Sequence, residues 1–199
     1  MTRRLIQLFL GLTLYGFSMA LVIRANLGLD PWDVFHQGVS QRLGWSFGTI
    51  VIVVGGLVLL LWIPLRQRPG FGTISNVFVI GVAVDLALTI LPPPTGLLTR
   101  SFLLAGGIYL NAVATAMYIG ARLGPGPRDG LMTGLAVRTG RSIGLVRTGI
   151  ELSVLAAGYF LGGTVGLGTV AYALLIGPLV QPLLAWFTVP DISRAKPAG

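Results

Sequence analysis

Two short polar passages interrupt an otherwise apolar chain, and both carry side chains able to do chemistry. The first, Asp30-Pro31-Trp32-Asp33 with His36 one turn further on, brings two carboxylates and an imidazole together. The second, Gly126-Pro127-Arg128-Asp129, repeats the pattern 96 residues later (Asp33 to Asp129), with an arginine in the place of Trp32. Each reads as a helix start, with Asp30 or Gly126 at the N-cap and Pro31 or Pro127 at the first helical position, where no N–H is needed. Asp33 and Asp129 then fall at the third position, within reach of unpaired backbone N–H groups. In a membrane, carboxylates at such starts could exchange a proton or help hold a cation, the helix N-terminus offsetting part of the charge. Equally, they could cap the helices and do nothing more. Arg128 could attract an anionic group or pair with an acid, and Trp32 could wall a pocket or anchor at the membrane interface. His36 could relay protons or serve as a hydrogen-bonded structural residue.

Four further polar residues lie inside apolar runs, where each needs a partner or a purpose. Asn76 and Asp85 lie on one run and could line an aqueous path or bond between helices. Arg147 and Glu151 are four apart on one helix face, the spacing of a structural ion pair. No Gly-rich phosphate loop, no Gly-x-Ser-x-Gly elbow and no cluster of metal ligands is present, and cysteine is absent. The expectation is a non-enzyme without metal or cofactor.

The elements that must position these residues are membrane spans. Of 199 residues, 54% are hydrophobic and 10% charged, and the mean hydropathy is +0.84, values of integral membrane proteins. The net charge of +8 resides in arginines between apolar runs, as orientation signals do, rather than in a basic groove for nucleic acid. Runs long enough to span lie near residues 5–23, 47–65, 71–91, 102–121, 142–161 and 165–188, which predicts six spans. The first is too long for a secretory signal and lacks a clear cleavage site, so it is read as retained.

The second half slides onto the first without gaps. Gly11 meets Gly107, Gly28 meets Gly124, Pro31 meets Pro127, Asp33 meets Asp129, Gly38 meets Gly134, and Gly72-Thr73 meets Gly168-Thr169. This duplication predicts two repeats, residues 1–94 and 95–188, followed by a cytoplasmic tail over 189–199. Charge predicts that they are inverted. With the N-terminus inside, Arg3, Arg4, Arg66, Arg68, Arg122, Arg128, Arg138, Arg141, Arg194 and Lys196 fall on the cytoplasmic side, and Arg24, Arg42 and Arg100 fall outside. Helices near 31–43 and 127–139 would then dip into the membrane and return as re-entrant half-helices, or lie flat in the interface. The pairs Gly44-xxx-Gly48 and Gly140-xxx-Gly144 suggest close helix packing.

The passage Gly28-Leu29-Asp30-Pro31-Trp32-Asp33 with His36-Gln37-Gly38, then Trp62-Ile63-Pro64-Leu65-Arg66 and Gly70-Phe71-Gly72-Thr73 with Asn76, Gly81 and Asp85, resembles the YczE/YyaS/YitT family of bacterial integral membrane proteins. In the second half the resemblance rests on Gly124, Pro127, Asp129 and Gly168-Thr169. It implies a multi-pass protein of the bacterial plasma membrane and carries no assigned activity.

The combined expectation is an all-α polytopic membrane protein of six transmembrane helices plus two short re-entrant half-helices in two inverted repeats. Its termini would be cytoplasmic, and it would work as a small-solute transporter or permease whose central site lies at the two half-helix starts. The alternative is a non-transporting membrane protein that assists or anchors a protein partner. Expected partners are the lipid bilayer, an unknown small solute and a second copy of the chain, but not nucleic acid.

Overall fold

The computed structural model describes residues 1–190, all of whose regular structure is helical. Arg194 and Lys196, and most of the expected tail, lie outside the described residues. The helices are α1 (Thr2–Ala25), α2 (Pro31–Leu43), α3 (Phe47–Trp62), α4 (Phe71–Ile90), α5 (Leu97–Gly120), α6 (Pro127–Thr139), α7 (Ile143–Leu161) and α8 (Leu167–Phe187). By length and composition α1, α4, α5, α7 and α8 can each cross a membrane; α2 and α3 qualify only as a pair, bent by 114° where they join. The chain is a multi-pass helical membrane protein.

Local chemistry sets the short helices. Asp30 accepts from the backbone N–H of Asp33 at 2.9 Å, and Pro31 opens α2. In α6 the cap is Gly126, and Asp129 reaches back to accept from the Gly126 N–H at 3.2 Å. Both end alike, on Gly44 (φ 70°) and Gly140 (φ 68°), a left-handed conformation that glycine adopts without steric cost. The expectation of close packing therefore holds for Gly48 but not for Gly44 and Gly140, which are helix caps, nor for Gly144, where an added Cβ would meet nothing within 4 Å. α3 stops at Trp62, short of the expected Leu65, because Pro64 cannot continue the ladder.

The centre of the bundle is an antiparallel crossing of α1 and α5. A Cβ added to Gly11 would stand 2.9 Å from Met117 Cβ, and one added to Gly107 would stand 2.6 Å from a Val22 methyl. Small residues let the backbones meet where lipid supplies no hydrophobic drive for association. Midway, Asn111 Nδ2 donates to Ser18 Oγ at 2.9 Å, and both residues are buried. Leu8, Leu12, Met19, Phe47, Val51, Ile80, Val84 and Tyr118 form the largest apolar cluster around this crossing.

Between α1 and α2, and between α5 and α6, the backbone is irregular, so its polar groups need partners inside the protein. Each half supplies them to the other. Gly168 N–H, at the start of α8, donates to Leu27 O at 2.8 Å, and Gly72 N–H, at the start of α4, donates to Leu123 O at 2.8 Å. These two bonds join the same pair of positions 96 residues apart. Packing matches as well: Gly38 lies against Leu161 and Gly134 against Leu65.

Close approach also locks α1 onto α4, where a Cβ on Gly16 would fall 2.6 Å from Ala83 Cβ and 2.8 Å from Ile80 O. Gly16→Leu is expected to destabilise the bundle by about 1–3 kcal/mol through overpacking. Gly106→Leu, on a glycine with open space around it, is expected to leave stability unchanged. Thermal unfolding of detergent-purified protein checks this: equal midpoints for the two variants would contradict the packing.

Candidate functional site

The starts of α2 and α6 meet. Arg128, the second residue of α6, extends to the first turn of α2, placing Nη1 at 3.7 Å from Asp30 Oδ1 and Nη2 at 3.5 Å from Asp33 Oδ1. Its guanidinium carbon stands 5.0 Å over the Trp32 ring, within range of a cation–π interaction. Both aspartates are nearly fully buried (4% and 3% exposed), so Arg128 supplies most of the countercharge they receive from within the protein. His36 completes the α2 side: Nδ1 lies 3.2 Å from Asp33 Oδ1, and the ring packs edge-on against Phe47 with centroids 5.9 Å apart. Trp62, at the end of α3, braces the α6 side by donating from Nε1 to Pro127 O at 3.0 Å.

A cavity of about 340 Å³ adjoins this cluster. Asp30, Trp32 and His36 line it from α2, Arg128 and Asp129 from α6, Asn76 from α4, and Arg147 with Glu151 from α7. Arg147 Nε donates to Glu151 Oε1 at 2.8 Å, so these two form an ion pair on the cavity wall. Asp129 accepts from Tyr118 Oη at 3.1 Å as well as capping α6. Trp32 Nε1 is buried with no hydrogen-bond partner among the described residues, which leaves one donor for an acceptor that the protein does not provide.

Two expected pathway residues stand apart from this wall. Asp33 is behind it, its backbone N–H donating to the Asp30 carboxylate and its own carboxylate facing Arg128. Asp85 lies at the α3–α4 contact, where it accepts from Ser46 Oγ at 2.5 Å and from the Gly48 N–H at 2.7 Å. Of its two possible roles it takes the interhelical hydrogen bond, because the α3 N-terminus offers donors that the cavity does not.

Three tyrosines that sequence reasoning passed over, Tyr15, Tyr118 and Tyr172, also line the cavity. Tyr172 donates to Asn111 Oδ1 at 2.8 Å, linking the cavity to the α1–α5 crossing. A signal was available. In the repeat alignment Tyr172 faces Asn76 and Tyr15 faces Asn111, so polar side chains recur at matched places in apolar runs.

The geometry makes the charges interdependent. Arg128→Leu leaves two buried carboxylates unpaired and is expected to cost roughly 3–5 kcal/mol. Adding Asp33→Leu should recover part of that loss, giving a coupling energy of about 1 kcal/mol or more in a double-mutant cycle read by thermal unfolding. Additive losses would contradict the pairing.

Comparison with known proteins agrees with this architecture as a class. A protein of Haemophilus influenzae described as uncharacterized is 40% identical over 174 residues, covering 87% of this chain and 80% of its own. The uncharacterized membrane protein YczE of Bacillus subtilis is 34% identical over 175 residues, covering 87% and 81%. The Bacillus subtilis protein YyaS, also described as uncharacterized, is 24% identical over 176 residues, covering 86% and 88%. No solved structure matches the chain. The family model described as a family of unknown function, DUF6198, matches residues 2–184, so this chain belongs to that family, and with it to the YczE and YyaS group of membrane proteins that its motifs resemble.

Proposed function

We propose that the protein is a small-solute permease of the bacterial plasma membrane, built from two inverted repeats with cytoplasmic termini. In this reading α2 and α6 are re-entrant half-helices, and the cavity at their starts is the solute site. The observation that carries the reading is the cavity itself. It is about 340 Å³, within the range of small-ligand pockets, and is lined by charged and aromatic side chains from both halves. A bundle built only to pack would gain nothing from enclosing such a space, since buried charges beside a cavity cost free energy unless they have work there.

Matched positions support the inverted arrangement. The antiparallel α1–α5 crossing, and the bonds from Gly168 to Leu27 and from Gly72 to Leu123, relate the halves as a two-fold axis in the membrane plane would. The bend of 114° between α2 and α3 turns the chain back, as a re-entrant segment requires. Around the site, Arg128 and the unpaired Trp32 N–H can receive an acceptor group, while Asp30 and Glu151 can receive a donor. A solute carrying both kinds of group would meet partners for each.

Proteoliposomes bearing Asn76→Cys give the test, since the chain has no native cysteine. They are loaded with one of four labelled probes, choline, glycine, lactate or glycerol. At least one is expected to leave faster than from protein-free liposomes, and a small methanethiosulfonate reagent on Cys at position 76 is expected to stop it. If no probe leaves faster, the permease reading fails, and the alternative of a packed bundle serving a protein partner takes its place.

A further inference from the structure

The halves match in sequence, but their outer helices do not close alike. Between α3 and α4, a Cβ on Gly48 would fall 1.9 Å from Gly81 O, and one on Gly81 would fall 2.6 Å from Gly48 O. Asp85 seals this contact by accepting from Ser46 Oγ and the Gly48 N–H. The counterparts on α7 and α8 are Ser142, Gly144, Gly177 and Gln181, each 96 residues on. There the contact is missing: a Cβ on Gly144 or Gly177 would meet nothing within 4 Å. The cavity is bounded on that side by Arg147 and Glu151 of α7 and by Gly177 and Gln181 of α8.

We propose that the α3–α4 and α7–α8 contacts are two alternating gates of the cavity, latched by Asp85 in the first half and by Gln181 in the second. This inference rests on the permease reading above. The structure has the first gate shut and the second open. In the opposite state Gly144 and Gly177 come together as Gly48 and Gly81 do here, and the Gln181 amide oxygen accepts from Ser142 or from the α7 N-terminus. With cytoplasmic termini, Ser46 and Asp85 lie toward the outside and Ser142 and Gln181 toward the cytoplasm, so the state seen faces inward.

The residues that differ between the halves set the balance between the states. A carboxylate accepting from a helix N-terminus forms a charge-assisted bond, stronger than a neutral amide oxygen can form. Asp85 against Gln181 therefore favours a shut first gate at rest. Mobility is unequal too. α8 carries Pro178 and Pro182 where α4 has Val82 and Leu86, and each proline removes a helix hydrogen bond and permits a bend. The helix that must travel to close the open gate is the one with the weakened ladder.

Paired cysteines in native membranes, oxidised with copper phenanthroline, provide the test. Ser46→Cys with Asp85→Cys should cross-link quickly, and Ser142→Cys with Gln181→Cys should cross-link more slowly, as the second gate visits its closed state. Gly144→Leu has room for its side chain here, so it should leave the first cross-link intact and abolish the second. Asp85→Asn, which keeps an acceptor and loses the charge, should speed the second cross-link several-fold. A second pair that never cross-links, or whose rate ignores both Gly144→Leu and Asp85→Asn, would overturn the gates. Probe efflux would then still support the permease reading. Both cross-links forming without efflux of any probe would overturn the permease reading instead.

Discussion

Asp30 and Asp33 can be buried only with Arg128 beside them, because without it they would place uncompensated charge inside a membrane bundle. Removing water from a carboxylate or a guanidinium costs several kcal/mol, and only mutual attraction with good hydrogen bonding recovers it. The two aspartates begin α2 and the arginine begins α6, so their association brings the two helix starts together. Much else follows. The irregular backbone before each start must find partners, and it finds them at the first turns of α8 and α4 in the opposite half. The cavity is the space that remains once two helix N-termini face each other across the bundle rather than packing side by side.

Asymmetry inside this matched frame carries the functional argument. Trp32 and Arg128 occupy equivalent places and stack on one another, so one repeat supplies the aromatic face and the other the cation. Trp62 of α3 fills the space over Gly130 of α6, whereas at the matched contact Gly158 of α7 lies against Val34 and Phe35 of α2. The same two contacts are made with large and small partners exchanged. A strictly symmetric bundle would have no reason to prefer one face; these exchanges, with Asp85 opposite Gln181, provide one.

How much of this was legible in the sequence depends on range. Local rules placed the starts of α2 and α6 at Pro31 and Pro127, because a proline after a capping residue is decided within one turn. The repeat was legible because glycine, proline and aspartate recur at one offset. The pairing of Arg128 with the α2 aspartates was not settled, since it joins residues about a hundred positions apart and sequence gives no distance between them; the ion pair is seen only in the structure. For Asp85 the choice between an aqueous path and a bond between helices stayed open for the same reason. Its donors, Ser46 and the Gly48 N–H, come from a neighbouring helix whose close approach depends on Gly81, and no single-helix pattern reveals that. The tyrosines were passed over because a tyrosine in a span reads as apolar bulk until its hydroxyl is seen to face a cavity.

The central claim is that the junction of the two helix starts is a solvated site open to one side of the membrane at a time. Its most direct test is side-specific labelling of Asn76→Cys, alone in the otherwise cysteine-free chain, with a membrane-impermeant maleimide. The reagent is applied to sealed right-side-out vesicles and, separately, to inside-out vesicles. The account predicts fast labelling from the cytoplasmic face, slow labelling from the outer face, and loss of the slow component alone in Gly144→Leu. Protection from both faces in folded protein would contradict it, leaving a closed bundle whose buried charges serve only to hold it together.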